Sequence, residues 1–194
     1  MREYKLIAHR GSHKYVKENS LFSFFNAINE NYYGFECDVR GTKDKKFYIY
    51  HDMLYDGKLF KSLNSNEIIC DTLESVLELN TNKIILLEIK DPFIDIDNLV
   101  NILTKYKSKN IYVMSFYNTV IDKLNIKNKT YKVGILNYVL NTTEKHFKYD
   151  FICILRPLLN DKIIDFVKKN NKELFVYGNY NNNFKYDFPY YIVD

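Results

Sequence analysis

Nine apolar runs of strand length punctuate the chain, and stretches with helical period separate most of them. No other feature narrows the possible folds as much. The runs are "YKLIA" (4–8), "GFECDV" (34–39), "FYIY" (47–50), "KIILLEI" (83–89), "IYVMSF" (111–116), "YKVGIL" (131–136), "FICIL" (151–155), "LFVYG" (174–178) and "YYIV" (190–193). Helical stretches are predicted over 18–31, 65–79, 95–107, 118–124, 138–147 and 160–170. In the first of these, an Asn–Ser cap signal precedes Leu21, Phe24, Phe25 and Ile28, which share one helix face. Strands alternating with helices imply βαβ units and a parallel sheet. "FYIY" breaks the alternation, because the polar turn "RGTKDKK" (40–46) before it is too short for a crossover helix. It is therefore expected to be an inserted excursion above the sheet and not a member of it. Eight strands remain, the number that closes a (β/α) barrel, with an open doubly wound sheet as the rival. The Asn-rich segment 179–189 is a poor helix, so the expected α/β barrel is compact, with reduced C-terminal helices.

The chain has 194 residues, 46% hydrophobic and 27% charged, which is enough to bury a core without disulfides. With no linker or internal repeat, residues 1–194 are expected to form one domain. The net charge of +4 is dispersed, and its densest basic spot, Lys43 to Lys46, reads as a solvated turn and not a nucleic-acid patch. No apolar run approaches the roughly 20 residues of a membrane span, and no secretory signal segment is evident. Cys37, Cys70 and Cys153 are widely spaced, which favours buried thiols in a reducing compartment. A cytoplasmic protein is the expectation.

Polar residues collect where these strands end: His9 and Arg10 after the first, Glu36 and Asp38 late in the second, His51 and Asp52 after "FYIY", and Glu88 and Lys90 at the end of "KIILLEIK". Parallel α/β folds build their active sites at that end. Residues i and i+2 of a strand share a face, so Glu36 and Asp38 aim two carboxylates at one place while Phe35, Cys37 and Val39 face away. Two like charges on an inward face are costly unless a cation lies between them. With Glu88 they make three hard oxygen ligands, suited to Mg²⁺ or Ca²⁺. Arg10 and Lys90 suit an oxyanion such as phosphate, and His9 and His51 could form an acid–base pair. Together these groups describe phosphoryl-transfer or phosphodiester-cleavage chemistry on a small molecule. His13 reads as a surface residue, and His146 as a favourable charge late in a helix.

"AHRG" (8–11), "ENS" (18–20), "FECDVRGTKD" (35–44), "YHD" (50–52) and "LEIK" (87–90), followed by "SF" (115–116) and "YIVD" (191–194), closely resemble the glycerophosphodiester phosphodiesterase family. The resemblance implies a TIM barrel carrying its second histidine on an insertion after the second strand. It implies a divalent metal held by Glu36, Asp38 and Glu88, acid–base roles for His9 and His51, and phosphate contacts from Arg10 and Lys90. The implied reaction yields glycerol 3-phosphate and an alcohol. Alternatives are release of a cyclic phosphate, or action on a lysophospholipid or a glycerol-phosphate polymer. A non-catalytic barrel that binds a phosphorylated ligand or a partner is the alternative of another class. The sequence departs from the family pattern at Lys17, where proline is usual, and at "VYGNY" (176–180), where a tryptophan-bearing strand is usual and Tyr177 would supply the aromatic substrate-binding face. Loss of the last helix would expose an apolar flank, from which a homodimer is expected.

Overall fold

The computed structural model describes residues 4–127, 130–137, 148–179 and 184–194. The eight predicted barrel strands are β1 (Lys5–Ala8), β2 (Gly34–Gly41), β6 (Ile84–Ile89), β7 (Ile111–Ser115), β8 (Lys132–Asn137), β9 (Phe151–Leu155), β10 (Glu173–Asn179) and β11 (Tyr190–Val193). They pair in parallel in the order β1-β11-β10-β9-β8-β7-β6-β2. Pairing of Ile7 with Gly34 and Ala8 with Phe35 joins β1 back to β2 and closes the barrel, which decides against an open sheet. The flanking helices are α1 (Leu21–Asn29), α2 (Leu73–Leu77), α3 (Ile96–Lys105), α4 (Asn118–Ile126) and α5 (Asp161–Lys169). The helix predicted over 138–147, His146 included, lies outside the described residues.

Strand alternation creates two cores. Phe35, Cys37 and Val39 point outward and pack with Phe24, Ala27, Leu73 and Val76 beneath the helices, so the Cys37 thiol is a small buried hydrophobe, as predicted. Facing inward, Tyr112, Phe151 and Phe175 pack ring on ring at 5.0–5.5 Å and fill the barrel. Gly134 makes room for them: a Cβ there would lie 2.3 Å from the Phe151 ring, its partner across β8–β9. Gly134→Ala should therefore lower stability by about 1–3 kcal/mol through overpacking, read as a lower denaturant midpoint at unchanged m.

Three local expectations need correction. Phe25 is 58% exposed, because the buried stripe of α1 runs through Ser23, Phe24 and Ala27 and leaves Phe25 about a third of a turn off it. "FYIY" is joined to the sheet: β3 (Phe47–Ile49) pairs antiparallel with the end of β2, Val39 with Ile49 and Gly41 with Phe47. It extends β2 past the rim without entering the closed ring, because a short hairpin permits only an antiparallel neighbour. The small antiparallel pair β4 (Leu54–Tyr55) and β5 (Lys58–Leu59) follows, and Tyr48, Phe60, Leu63 and Ile68 give the insertion a core of its own. The hairpin turn itself is solvated, with Lys43, Lys45 and Lys46 exposed.

Third, the flank between β10 and β11 is partly covered by the chain itself. Described residues 184–189 form no helix, yet Phe184 packs on Tyr4 and Tyr191, with Tyr186 and Phe188 beside it. The hydroxyl of Tyr4 donates to the Phe184 carbonyl, and that of Tyr191 to the Tyr186 carbonyl, both at 2.8 Å. The flank from which a homodimer was expected is thus packed in part by Phe184, Tyr186 and Phe188. No helix among them is long and apolar enough to cross a membrane.

Candidate active site

The C-terminal mouth of the barrel collects the charged strand ends. β2 and β6 run side by side with Asp38 opposite Glu88, so Glu36, Asp38 and Glu88 all point inward. One oxygen from each lies within 4.8 Å of the others, and Glu36 and Asp38 are almost fully buried. Burial, then the Asp38 and Glu88 charges, push the Glu36 carboxyl well above its ordinary pKa. Burial also raises Glu88, and Asp38 adds to the effect while Lys90 opposes it.

Two cations border this cluster. Lys90 donates to Glu88 Oε1 at 2.7 Å and lies 3.4 Å from Asp38. Arg10 donates to Glu18 at 2.7 Å, and its Nε lies 3.3 Å from Asp38. Burial works against the charge on each, but the neighbouring carboxylates, Glu88 and Asp38 for Lys90 and Asp38 and Glu18 for Arg10, outweigh it and raise both pKa values. The Arg10 backbone N–H donates to Glu36 Oε2 at 3.0 Å, while Glu36 Oε1 is buried without a hydrogen-bond partner. A buried carboxylate oxygen left unmatched is costly. An oxygen-seeking divalent cation is a group these three residues could hold, and the orphaned oxygen fits one.

Each histidine is fixed by an aspartate. His9 Nδ1 lies 2.6 Å from Asp194 Oδ1, and its Nε2 lies 4.0 Å from Glu36 Oε2. His51 Nδ1 lies 2.8 Å from Asp52 Oδ1. An ionised carboxylate can only accept, so the proton of each pair sits on Nδ1 and Nε2 is left for other work. Tyr177 stands at the mouth on β10, edge-on to Phe116, beside a one-residue bulge where Gly178 has φ +75°. His13 turns back on its own loop, with Nδ1 2.9 Å from the Gly11 carbonyl. A cavity of about 520 Å³ opens beside His51, lined among others by Lys17, Glu18, Tyr50, Asp52 and Ile69.

Sequence reasoning missed several supporting residues. Asn19 reads in sequence as part of a helix cap, but Ser20 is the cap, and Asn19 grips Asp38: its side-chain amide donates to Oδ2 at 2.8 Å, and its Oδ1 accepts from the Asp38 N–H at 3.2 Å. Arg10 and Asn19 both hold φ near +52°, uncommon for residues with a Cβ and frequent where a site imposes geometry. Gly11 follows at φ +78°, and a Cβ there would lie 2.6 Å from the Ser23 backbone, so the "HRG" loop can settle on α1 only with glycine. Asp194 and Arg40 were also missed; Arg40 keeps the inward parity of Glu36 and Asp38, a signal available in the sequence.

A closed (β/α)₈ barrel with this rim defines a barrel enzyme of phosphodiester chemistry. The sequence model of the glycerophosphoryl diester phosphodiesterase family matches residues 9–193, and the chain belongs to that family. It is thereby an enzyme of the phosphodiesterase class. Among solved structures, a glycerophosphodiester phosphodiesterase from Thermotoga maritima is 24% identical at a TM-score of 0.80, with 99% of this chain and 95% of that one covered. One from Parabacteroides distasonis is 26% identical at 0.76, covering 89% and 83%. An Oleispira antarctica phosphodiesterase, solved in complex with the product sn-glycerol-3-phosphate, is 17% identical at 0.83, covering 96% and 92%. No match was found among curated proteins.

Proposed function

We propose that the chain hydrolyses a small glycerophosphodiester to glycerol 3-phosphate and an alcohol, using His9 and His51 for proton transfer and a divalent cation, Mg²⁺ or Ca²⁺, held by Glu36, Asp38 and Glu88. The observation that carries this reading is the convergence of three carboxylates, two buried and one part-buried, one of them with an orphaned oxygen, on the mouth that also holds two aspartate-backed histidines. The product bound to the Oleispira antarctica protein supports the substrate class.

When bound, the cation would supply Lewis-acid polarisation of a phosphoryl oxygen and neutralise developing charge. Arg10 and Lys90 stand beside the carboxylates, placed to bind the remaining phosphate charge once substrate enters. One histidine accepts the proton of the attacking hydroxyl, a glycerol hydroxyl of the substrate itself, at its free Nε2. The other, which must enter the step protonated at Nε2 as well as Nδ1, gives its Nε2 proton to the oxygen of the departing alcohol, so no charged alkoxide leaves. Water then opens the cyclic phosphate, with the proton flow reversed. Tyr177 and Phe116 offer apolar ring faces to the glycerol carbons.

The test is release of glycerol 3-phosphate from glycerophosphocholine, glycerophosphoethanolamine and glycerophosphoglycerol with Mg²⁺, with Ca²⁺ and with chelator. The expected outcome is turnover of at least one diester that chelator abolishes and one of the two ions restores. Turnover that persists in chelator would remove the metal from the reading. Silence on all three diesters, together with no binding of either ion to the folded protein, would overturn it.

A further inference from the structure

The histidine on the insertion has a problem that the one on β1 does not. His9 directly follows a barrel strand, and its backbone N–H is held by the Val193 carbonyl at 2.8 Å. His51 lies past the end of β3, outside any strand, on a segment that leaves the barrel rim for a solvent-exposed hairpin. Something must fix its backbone if its ring is to hold one place relative to Glu88.

Arg40 and Asp91 do this. Arg40 Nε and Nη2 both donate to the His51 carbonyl, at 3.1 and 2.7 Å. Its Nη1 donates to Asp91 Oδ1 at 2.7 Å, and the other Asp91 oxygen accepts the Gly41 N–H at 2.8 Å. All three guanidinium nitrogens and both carboxylate oxygens are thus engaged, and the two side chains are only 8% and 13% exposed. Asp91 directly follows Lys90, whose backbone N–H donates to the Val39 carbonyl at 3.0 Å. One buried ion pair therefore ties the end of β2, the end of β6 and the insertion together at the point where Asp38, Glu88, Lys90 and His51 must keep register.

We infer that Arg40 is a positioning residue for His51 and that Asp91 holds Arg40 in place; neither need touch the substrate. The inference rests on the role proposed above for His51. A planar fork with fixed donors suits it, since lysine has one nitrogen and cannot bind Asp91 while donating twice to a carbonyl. Support of this kind typically affects activity by about 10- to 100-fold.

The experiment compares wild type, His51→Ala, Arg40→Lys and Asp91→Asn on the three diesters above, alongside the ring signals of both histidines by NMR. Arg40→Lys keeps a cation against Asp91, so no buried charge is stranded. Its kcat should fall by about 10- to 100-fold with KM within about twofold, and the His51 ring signals should shift and broaden while those of His9 stay in place. Wild-type kcat and an unmoved His51 ring in Arg40→Lys, with His51→Ala inactive, would overturn the role of Arg40 and leave the proposed function standing. Full activity in His51→Ala would instead overturn the role of His51. Equal disturbance of both histidine rings would reduce Arg40 to a general structural part and also overturn the inference. If Arg40→Lys does not fold, Asp91→Asn carries the test through the same His51 signals: it loosens the anchor while leaving an acceptor in place, and an unmoved ring there overturns the proposal.

Discussion

Replacing His9 or His51 by alanine is expected to lower kcat by about 10²- to 10⁴-fold each, the usual worth of a positioned acid or base. The two losses should be similar in kind, because the two sites are built alike. Each ring has Nδ1 committed to an aspartate, Asp194 for His9 and Asp52 for His51, and each has Nε2 left for the reaction. Neither ring is needed to hold the carboxylate cluster. Glu36 keeps the Arg10 backbone N–H, Asp38 keeps Asn19, and Glu88 keeps Lys90. Affinity for the divalent ion, measured by calorimetry, should accordingly change little in either variant, and KM should stay within a few-fold. The double variant should lose little more than the worse single one, since groups acting in one proton circuit are strongly non-additive. A single variant that kept more than about a tenth of wild-type kcat would remove that histidine from the circuit.

Legibility in the sequence followed the range of the interactions. Strand spans were readable because alternation and apolar runs are local; the inward aim of Glu36 and Asp38 followed from parity alone, and β2 in the structure obeys it. Phe25 was misplaced because four aromatic or aliphatic residues on about two turns of helix admit two stripes. Only packing against Phe35 of β2, stacked on Phe24 at 4.7 Å, chooses between them. "FYIY" was recognised as out of series, but its pairing with the end of β2 depends on how far β2 runs past the rim, a tertiary fact. The groups that orient the chemistry were hardest to see. Asn19 looks like a cap, and Asp194 lies 185 positions from the histidine it holds. Asp91 lies 51 positions from Arg40. Nothing in local pattern links such pairs; closure of the barrel brings them together.

Glu36→Gln should separate stability from function in opposite directions. Without a cation, the folded protein holds Glu36 in a buried site beside Asp38 and Glu88, and one oxygen of Glu36 has no partner. Glutamine keeps the shape and an acceptor for the Arg10 N–H, adds an amide that donates where glutamate can only accept, and removes the charge. The metal-free variant should therefore be more stable than metal-free wild type by roughly 1–3 kcal/mol at neutral pH, the scale of a like-charge term in a partly screened site. The pH dependence has a definite sign. Glu36 and Glu88 titrate above the ordinary glutamate value of 4.5 when folded, so above that pH the native state retains protons that the unfolded chain has released. Stability of the metal-free wild type should then fall as pH rises from about 4.5 toward neutrality, and the slope should be shallower in Glu36→Gln. Addition of Mg²⁺ or Ca²⁺ should stabilise wild type, more at pH 8 than at pH 5, because binding displaces those protons. The same ions should leave Glu36→Gln almost unmoved, and its turnover should fall by at least about 10²-fold, as loss of a charged ligand would require. Thermal unfolding at two pH values, with and without each ion, reads all of these effects. A variant destabilised at neutral pH without metal, or one that still gains stability from the ions as wild type does, would show that Glu36 is a structural acid and not a ligand.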